Sequence, residues 1–315
     1  MARLRIVTLG VVSLLLVACG PGGPTTAPSS PASAAPTQAA SLAPVETAEP
    51  TQDACAKESL QTLTAGTLVV GADNPAFPPY YIPDDPNPED SEWELGQPPN
   101  GKGLESATAY AVAEELGFLR EEVTWVVAPF NTAIQPGPKT FDMYLTQVSY
   151  RPARAERVDL SDGYFDLNQA VIAIEGTAIA NVTTVAGLKE YRLGSQVGTT
   201  SFEYITDQIQ PTPEPRAYNS MNAALRALGN GQIVGLVADL PTTFYMRDAQ
   251  LDDGVIVGSL PTPAGADVEH FSIVLDKGSP LTACVNVALA ALKADGTLDA
   301  IRNDWIAGQG APELQ

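Results

Sequence analysis

A chain of 315 residues with 37 acidic and 17 basic side chains carries a formal net charge of −20. That charge repels nucleic-acid phosphates and anionic lipid head groups, which excludes nucleic acid as a partner. The single histidine, His270, has no second His or Cys beside it in sequence. Neither a metal site nor a Ser-His-Asp triad can be assembled around it, and no cofactor is expected.

The N-terminus sets the compartment. MARLR is basic, and IVTLGVVSLLLV is an apolar run too short to span a bilayer comfortably, ending at Ala18-Cys19. This is the pattern of a secretory signal over residues 1–18. Leu16-Val17-Ala18-Cys19 resembles the lipobox of bacterial lipoproteins, which implies acylation at Cys19 and a membrane anchor. Residues 19–54 are almost wholly Gly, Pro, Ser, Thr and Ala, a composition that buries too little apolar surface to offset ordering entropy. That stretch reads as a tether. Two further cysteines, Cys55 and Cys284, either pair in the oxidising compartment or remain as buried thiols, with pairing favoured.

From Cys55 onward short apolar runs alternate with helical patterns. LVVGA (68–72), VTWVVA (123–128), FDMYLTQ (141–147), AVIAI (170–174), IVGLVAD (233–239), GVIVGS (254–259) and FSIVLD (271–276) read as strands, several of them apolar throughout, as in sheets covered on both faces. GLESATAYAVAEELG puts Leu104, Ala107, Ala111 and Leu116 on one face and stops at Gly117. TSFEYITDQI, SMNAALRALGNG, SPLTACVNVALAALKADG and GTLDAIRNDWIAG read as further helices. The alternation argues an α/β class. GQPPNGKG (96–103) has the outline of a phosphate loop but lacks the Ser/Thr for magnesium, and its prolines remove backbone donors, so it is rejected.

Three arginines, Arg151, Arg154 and Arg157, sit within seven positions of an otherwise acidic chain. A guanidinium fork matches the two oxygens of a carboxylate. Gly198-Thr199-Thr200 opens a helix, where free N–H groups attract an anion, although the same residues serve as an ordinary N-cap. Asp239 ends an apolar strand, where ligands of open α/β sheets bind, and is equally placed to cap the helix that follows.

These segments together resemble the solute-binding proteins of ABC importers, specifically the polar-amino-acid group of glutamine-binding and lysine/arginine/ornithine-binding proteins. LVVGADNPAFPPY, GKGLESATAYAVAEELG, QVSYRPARAERVDLSDGYF, GSQVGTTSFEY, VADLP and KADGTLDAIRNDWIAG stand in the family order and cover about Leu63 to Ala307. The resemblance implies a hinged, two-lobed α/β periplasmic-binding-protein fold of type II with ligand in the cleft. Lobe one would take residues 55–165 and 270–315, lobe two 170–264, with the chain crossing twice and Cys55 and Cys284 both on lobe one.

By residue, the resemblance assigns the ligand carboxylate to Arg154, leaving Arg151 and Arg157 at the surface to pair with Glu156 or Asp159. Thr199 and Thr200 would share the carboxylate, Asp239 would take the ammonium, and Ser149 and the backbone at Gln147 would complete these contacts. Asp73 would meet a polar or cationic side chain and Phe77 would cover it. Leu104 replaces the usual Phe on the opposite wall, Gln147 replaces Gly or Ala, and Asn74-Pro75-Ala76 is one residue longer than the family spacing. Gln196 and Ala238 stand where the glutamine-binding protein has Lys and His. Glu105, in the first turn of its helix, is structural in this reading. The expected protein is a monomeric, extracytoplasmic, membrane-anchored carrier of a neutral polar or cationic amino acid, delivering it to an ABC permease and its ATPase. A dehydratase-like enzyme of the same fold and a ligand sensor for a signalling partner are the rival readings.

Overall fold

The apolar runs build two sheets. The computed structural model describes residues 52–86, 88–306 and 310–315. The expected leader, Cys19 and nearly all of the tether therefore lie outside the described residues. The strands are β1 (Leu68–Ala72), β2 (Val123–Val127), β3 (Met143–Tyr144), β4 (Asp159–Asp166), β5 (Gln169–Ile174), β6 (Leu193–Gln196), β7 (Arg216–Tyr218), β8 (Gly235–Asp239), β9 (Gly254–Ser259) and β10 (His270–Leu275). The helices are α1 (Leu104–Glu115), α2 (Phe130–Ala133), α3 (Pro152–Ala155), α4 (Thr200–Tyr204), α5 (Met221–Gly229), α6 (Leu240–Tyr245), α7 (Leu281–Ala294) and α8 (Thr297–Ile306).

One sheet has the order β2-β1-β3-β10-β4 and the other β7-β6-β8-β5-β9. Each combines parallel pairs with antiparallel ones: β1 runs parallel to β2 and β3 while β10 is antiparallel to β3 and β4. In the second sheet β6 is parallel to β7 and β8, and β5 is antiparallel to β8 and β9. The fold is α/β with two lobes, each containing one sheet.

Both faces of the second sheet are covered, which explains its continuous apolar runs. Along β5, Val171 and Ala173 join one core with Leu193, Val237 and Ile205, while Ile172 joins the other with Leu225, Leu236 and Met246. That is the period-two alternation of a strand buried twice over. The first sheet packs β1 and β10 against α1 and α7 on one side, through Val70, Val112, Ile273 and Leu289. Its other side holds Phe130, Phe141, Tyr144 and Val274. Cys55 and Cys284 form a disulfide across 229 residues of sequence, pinning the start of the described chain to α7.

The chain passes between the sheets at Leu167-Asn168 and again over 260–269, and the two crossovers touch, with Leu167 N–H donating to the Glu269 carbonyl at 2.9 Å. The end of the chain departs from expectation. Residues 270–315 do not stay wholly with the first sheet, because Glu313 bridges Ser259 in parallel register and Leu314, 2% exposed, fills the second sheet's core. Leu314 N–H donates to the Ser259 carbonyl at 2.9 Å. β9 is an edge strand, and the tail satisfies backbone groups there that an uncovered edge would leave open.

Candidate functional site

Strand ends and helix starts from both sheets converge on one cleft enclosing about 630 Å³, part of it continuous with solvent. Asp73 follows β1, Thr146, Gln147 and Ser149 follow β3, and Arg154 lies on α3. From the second sheet come Gln196 at the end of β6, Thr199 and Thr200 at the start of α4, and Asp239 at the end of β8. Phe77, Phe130 and Phe271 supply aromatic surface.

Arg154 is 8% exposed, an arrangement that requires partners for a guanidinium. Its partners are carbonyls: Nη1 donates to Ser149 O, and Nη2 donates to Gly198 O at 3.0 Å. The ring of Phe130 lies 5.7 Å away. Among the described residues no carboxylate stands within ion-pair distance of it. Burial lowers its pKa to about 10, so it remains a cation at neutral pH.

Asp239 is its opposite, a carboxylate 9% exposed with no basic partner among the described residues. It caps α6, accepting from Thr242 N–H and Thr242 Oγ1, each at 2.9 Å, and it also accepts from the Tyr80 hydroxyl. Burial raises its pKa, and these donors pull it back down. Thr199 is likewise a cap, accepting from Phe202 N–H at 3.1 Å. The helical winding continues beyond α4 through Ile205–Ile209. Ser149 and Thr200 place their hydroxyls 3.3 Å apart across the cleft. Asp73 lies partly open to the cleft, with its pKa raised by desolvation.

Eight of the nine expected ligand residues line the cleft: Asp73, Phe77, Gln147, Ser149, Arg154, Thr199, Thr200 and Asp239. Leu104 does not. It is 2% exposed in the core of the first sheet, because the first turn of α1 directs it inward. Arg151 also differs from its expected pairing, forming its ion pair with Glu203, in α4's first turn, while Asp159 pairs with Lys277 at 3.2 Å. Lys102 of the rejected phosphate loop pairs with Asp84 at 3.1 Å.

Glu105 is fully buried behind the cleft and does not line it. It accepts from Gln147 N–H at 2.6 Å, from the Gln147 side-chain amide and from the Tyr164 hydroxyl. Gln147 has a positive φ of 45°, a conformation that costs a non-glycine residue about 1–2 kcal/mol. Glu105 is what holds it there. Gln169 and Phe271 line the cleft without any advance signal, since neither type in a strand announces a binding role. Gln169 accepts from Ser201 Oγ at 2.7 Å and donates to Thr200 Oγ1 at 3.2 Å and to the Glu269 carboxylate. It thereby ties both crossovers to the start of α4. Among the described residues no group of three or more His, Cys, Asp or Glu is arranged to hold a metal.

A match to the model of bacterial extracellular solute-binding proteins, family 3, spans residues 68–308 and includes every residue of this cleft. The chain belongs to that family. The ABC transporter arginine-binding protein 1 of Escherichia coli is 29% identical over 189 residues, covering 59% of this chain and 75% of that protein. The L-cystine-binding protein TcyJ of Escherichia coli is 23% identical over 247 residues, covering 76% and 82%. Among solved structures, an ancestral arginine-binding protein bound to glutamine superposes with a TM-score of 0.61 at 26% identity, covering 77% of this chain and 99% of that one. All three of these relatives are named as binding proteins.

Proposed function

We propose that this chain binds a free α-amino acid, neutral polar or cationic at its side chain, between its two lobes and hands it to an ABC import permease. One observation carries the reading: a buried guanidinium and a buried carboxylate line the same cleft, and among the described residues neither forms an ion pair. Unpaired buried charges are costly, and a zwitterion that supplies both counter-charges removes the cost. Arg154 takes the α-carboxylate with the Thr199–Thr200 turn, and Asp239 takes the α-ammonium. Asp73 leaves the remaining space acidic, which disfavours a glutamate or aspartate side chain. The arginine- and glutamine-binding names of the relatives support this class.

Because Arg154 and Asp73 belong to the first sheet's half and Thr200 and Asp239 to the second's, ligand completes its contacts only when the halves meet. It therefore shifts the equilibrium toward closure, the state a permease would recognise. The leader, Cys19 and the tether read from the sequence support an exported, lipid-anchored carrier. Arg154→Ala tests the reading by calorimetry. We expect affinity for the bound amino acid to fall by about 2–5 kcal/mol, the range for truncating one side of a buried charge pair. Undiminished affinity in the folded variant would overturn it.

A further inference from the structure

Tyr80 stands outside the expected set and outside the cleft lining, yet it makes a direct contact with the ammonium-binding carboxylate. The residue is fully buried in the core of the first sheet. Its backbone carbonyl accepts from Glu105 N–H at 3.0 Å and Ser106 N–H at 3.3 Å, the first turn of α1. Gly103 permits this approach, since a Cβ there would lie 2.3 Å from the Tyr80 carbonyl oxygen, and its φ of 104° suits glycine alone. The Tyr80 ring meets Phe271 edge-on at 5.9 Å. Backbone and ring are thus fixed by one half of the molecule, while the hydroxyl donates to Asp239 of the other.

A carboxylate offers about four lone-pair sites. On Asp239, Oδ1 accepts from Thr242 N–H and the Tyr80 hydroxyl, and Oδ2 accepts from Thr242 Oγ1. The remaining site is on Oδ2. A phenylalanine would fill the same core space, so packing does not call for the hydroxyl. A buried hydroxyl without a partner is costly, and this one finds its partner only when the two halves are together.

We propose that Tyr80 is a positioning residue for ammonium recognition: its hydroxyl crosses the cleft, fixes the Asp239 carboxylate with Oδ2 turned to the ligand, and links ammonium binding to closure. This rests on the amino-acid reading of the cleft. The charged groups acting on Asp239 are Glu269, at the second crossover, and Glu105 on α1, both carboxylates that oppose its ionisation. Thr242 and Tyr80 are the donors that favour it. The Tyr80 phenol is held well above its usual range by burial, so it stays protonated as a donor between pH 4 and 8.

The test is Tyr80→Phe in the folded, mature protein, titrated calorimetrically with L-arginine and L-glutamine and with their analogues lacking the α-amino group, 5-guanidinopentanoate and glutaramate. Wild type should prefer the amino acid over its analogue, and the variant should lose about tenfold of that preference, the size of a hydrogen bond to a charged group. The acid-side loss of amino-acid affinity should also move to higher pH, because Asp239 loses a donor that stabilises its charge. A purely structural role would weaken both compounds equally and leave the pH profile in place, which overturns the inference. Wild type that binds no neutral polar or cationic amino acid would instead overturn the reading of the cleft.

Discussion

Glu105 sits where no solvent reaches it, and burial pushes its carboxyl up to about 7 despite three donors. Its ordinary value is 4.5. Between these values the native state holds more protons than the unfolded chain, so the contribution of Glu105 to stability is complete below about 4.5 and declines as pH rises to about 7. The loss across that window is about 3 kcal/mol. Denaturant titrations at pH 4.5 and pH 7 should therefore show wild type losing about that much relative to Glu105→Gln. Equal pH dependence in both proteins would contradict the assignment. At this scale Arg154 and Asp239 were legible because an arginine cluster in an acidic chain and an aspartate ending an apolar strand are conspicuous. Tyr80, Glu105 and Gln169 were not. Their roles depend on which residue faces them across a long span of sequence, as with Tyr80 and Asp239, 159 positions apart. Leu104 was misplaced for the converse reason: sequence fixed its helix but not the direction in which the first turn faces.

Elements with long apolar runs were read with nearly their observed limits, as at β1, β2, β8 and β9. β4 (DLSDGYFD), β6 (LGSQ) and β7 (RAY) were missed because they carry polar residues or are very short. β6 is fully buried nonetheless, its Ser195 hydroxyl donating to Val237 O at 2.8 Å, so the ladder and its neighbours satisfy what its side chains do not announce. The tail at 310–315 was equally silent, since a single leucine among polar residues marks no strand. Leu314→Ala checks its role as a fastening to β9. The expected cost is about 2–5 kcal/mol, which lowers Tm by several degrees in a domain of this size. A scanning calorimetry trace that superposes on wild type would show the tail to be dispensable.

At the scale of the whole molecule, the hydrogen bonds Tyr80–Asp239, Ser149–Thr200, Arg154–Gly198 and Asn131–Asn219 join the two halves around the cleft. The two-lobe arrangement was legible from the family order of six segments, but the return of the tail to the second sheet was not. A mouth that closes by pairing buried groups of one half with those of the other gives a ligand leverage on the open–closed equilibrium only through differential contacts with the closed form. The central claim is that an α-amino acid supplies those contacts. The most direct measurement is the thermal shift of the purified protein against all twenty amino acids, with ornithine, citrulline and cystine added. Binding to the native state alone raises Tm by mass action, by about 2.7 kcal/mol of stability at one hundred times Kd. The account expects a clear rise with at least one neutral polar or cationic amino acid and none with glutamate or aspartate. A flat response across the panel, or a rise with the acidic pair alone, would contradict it.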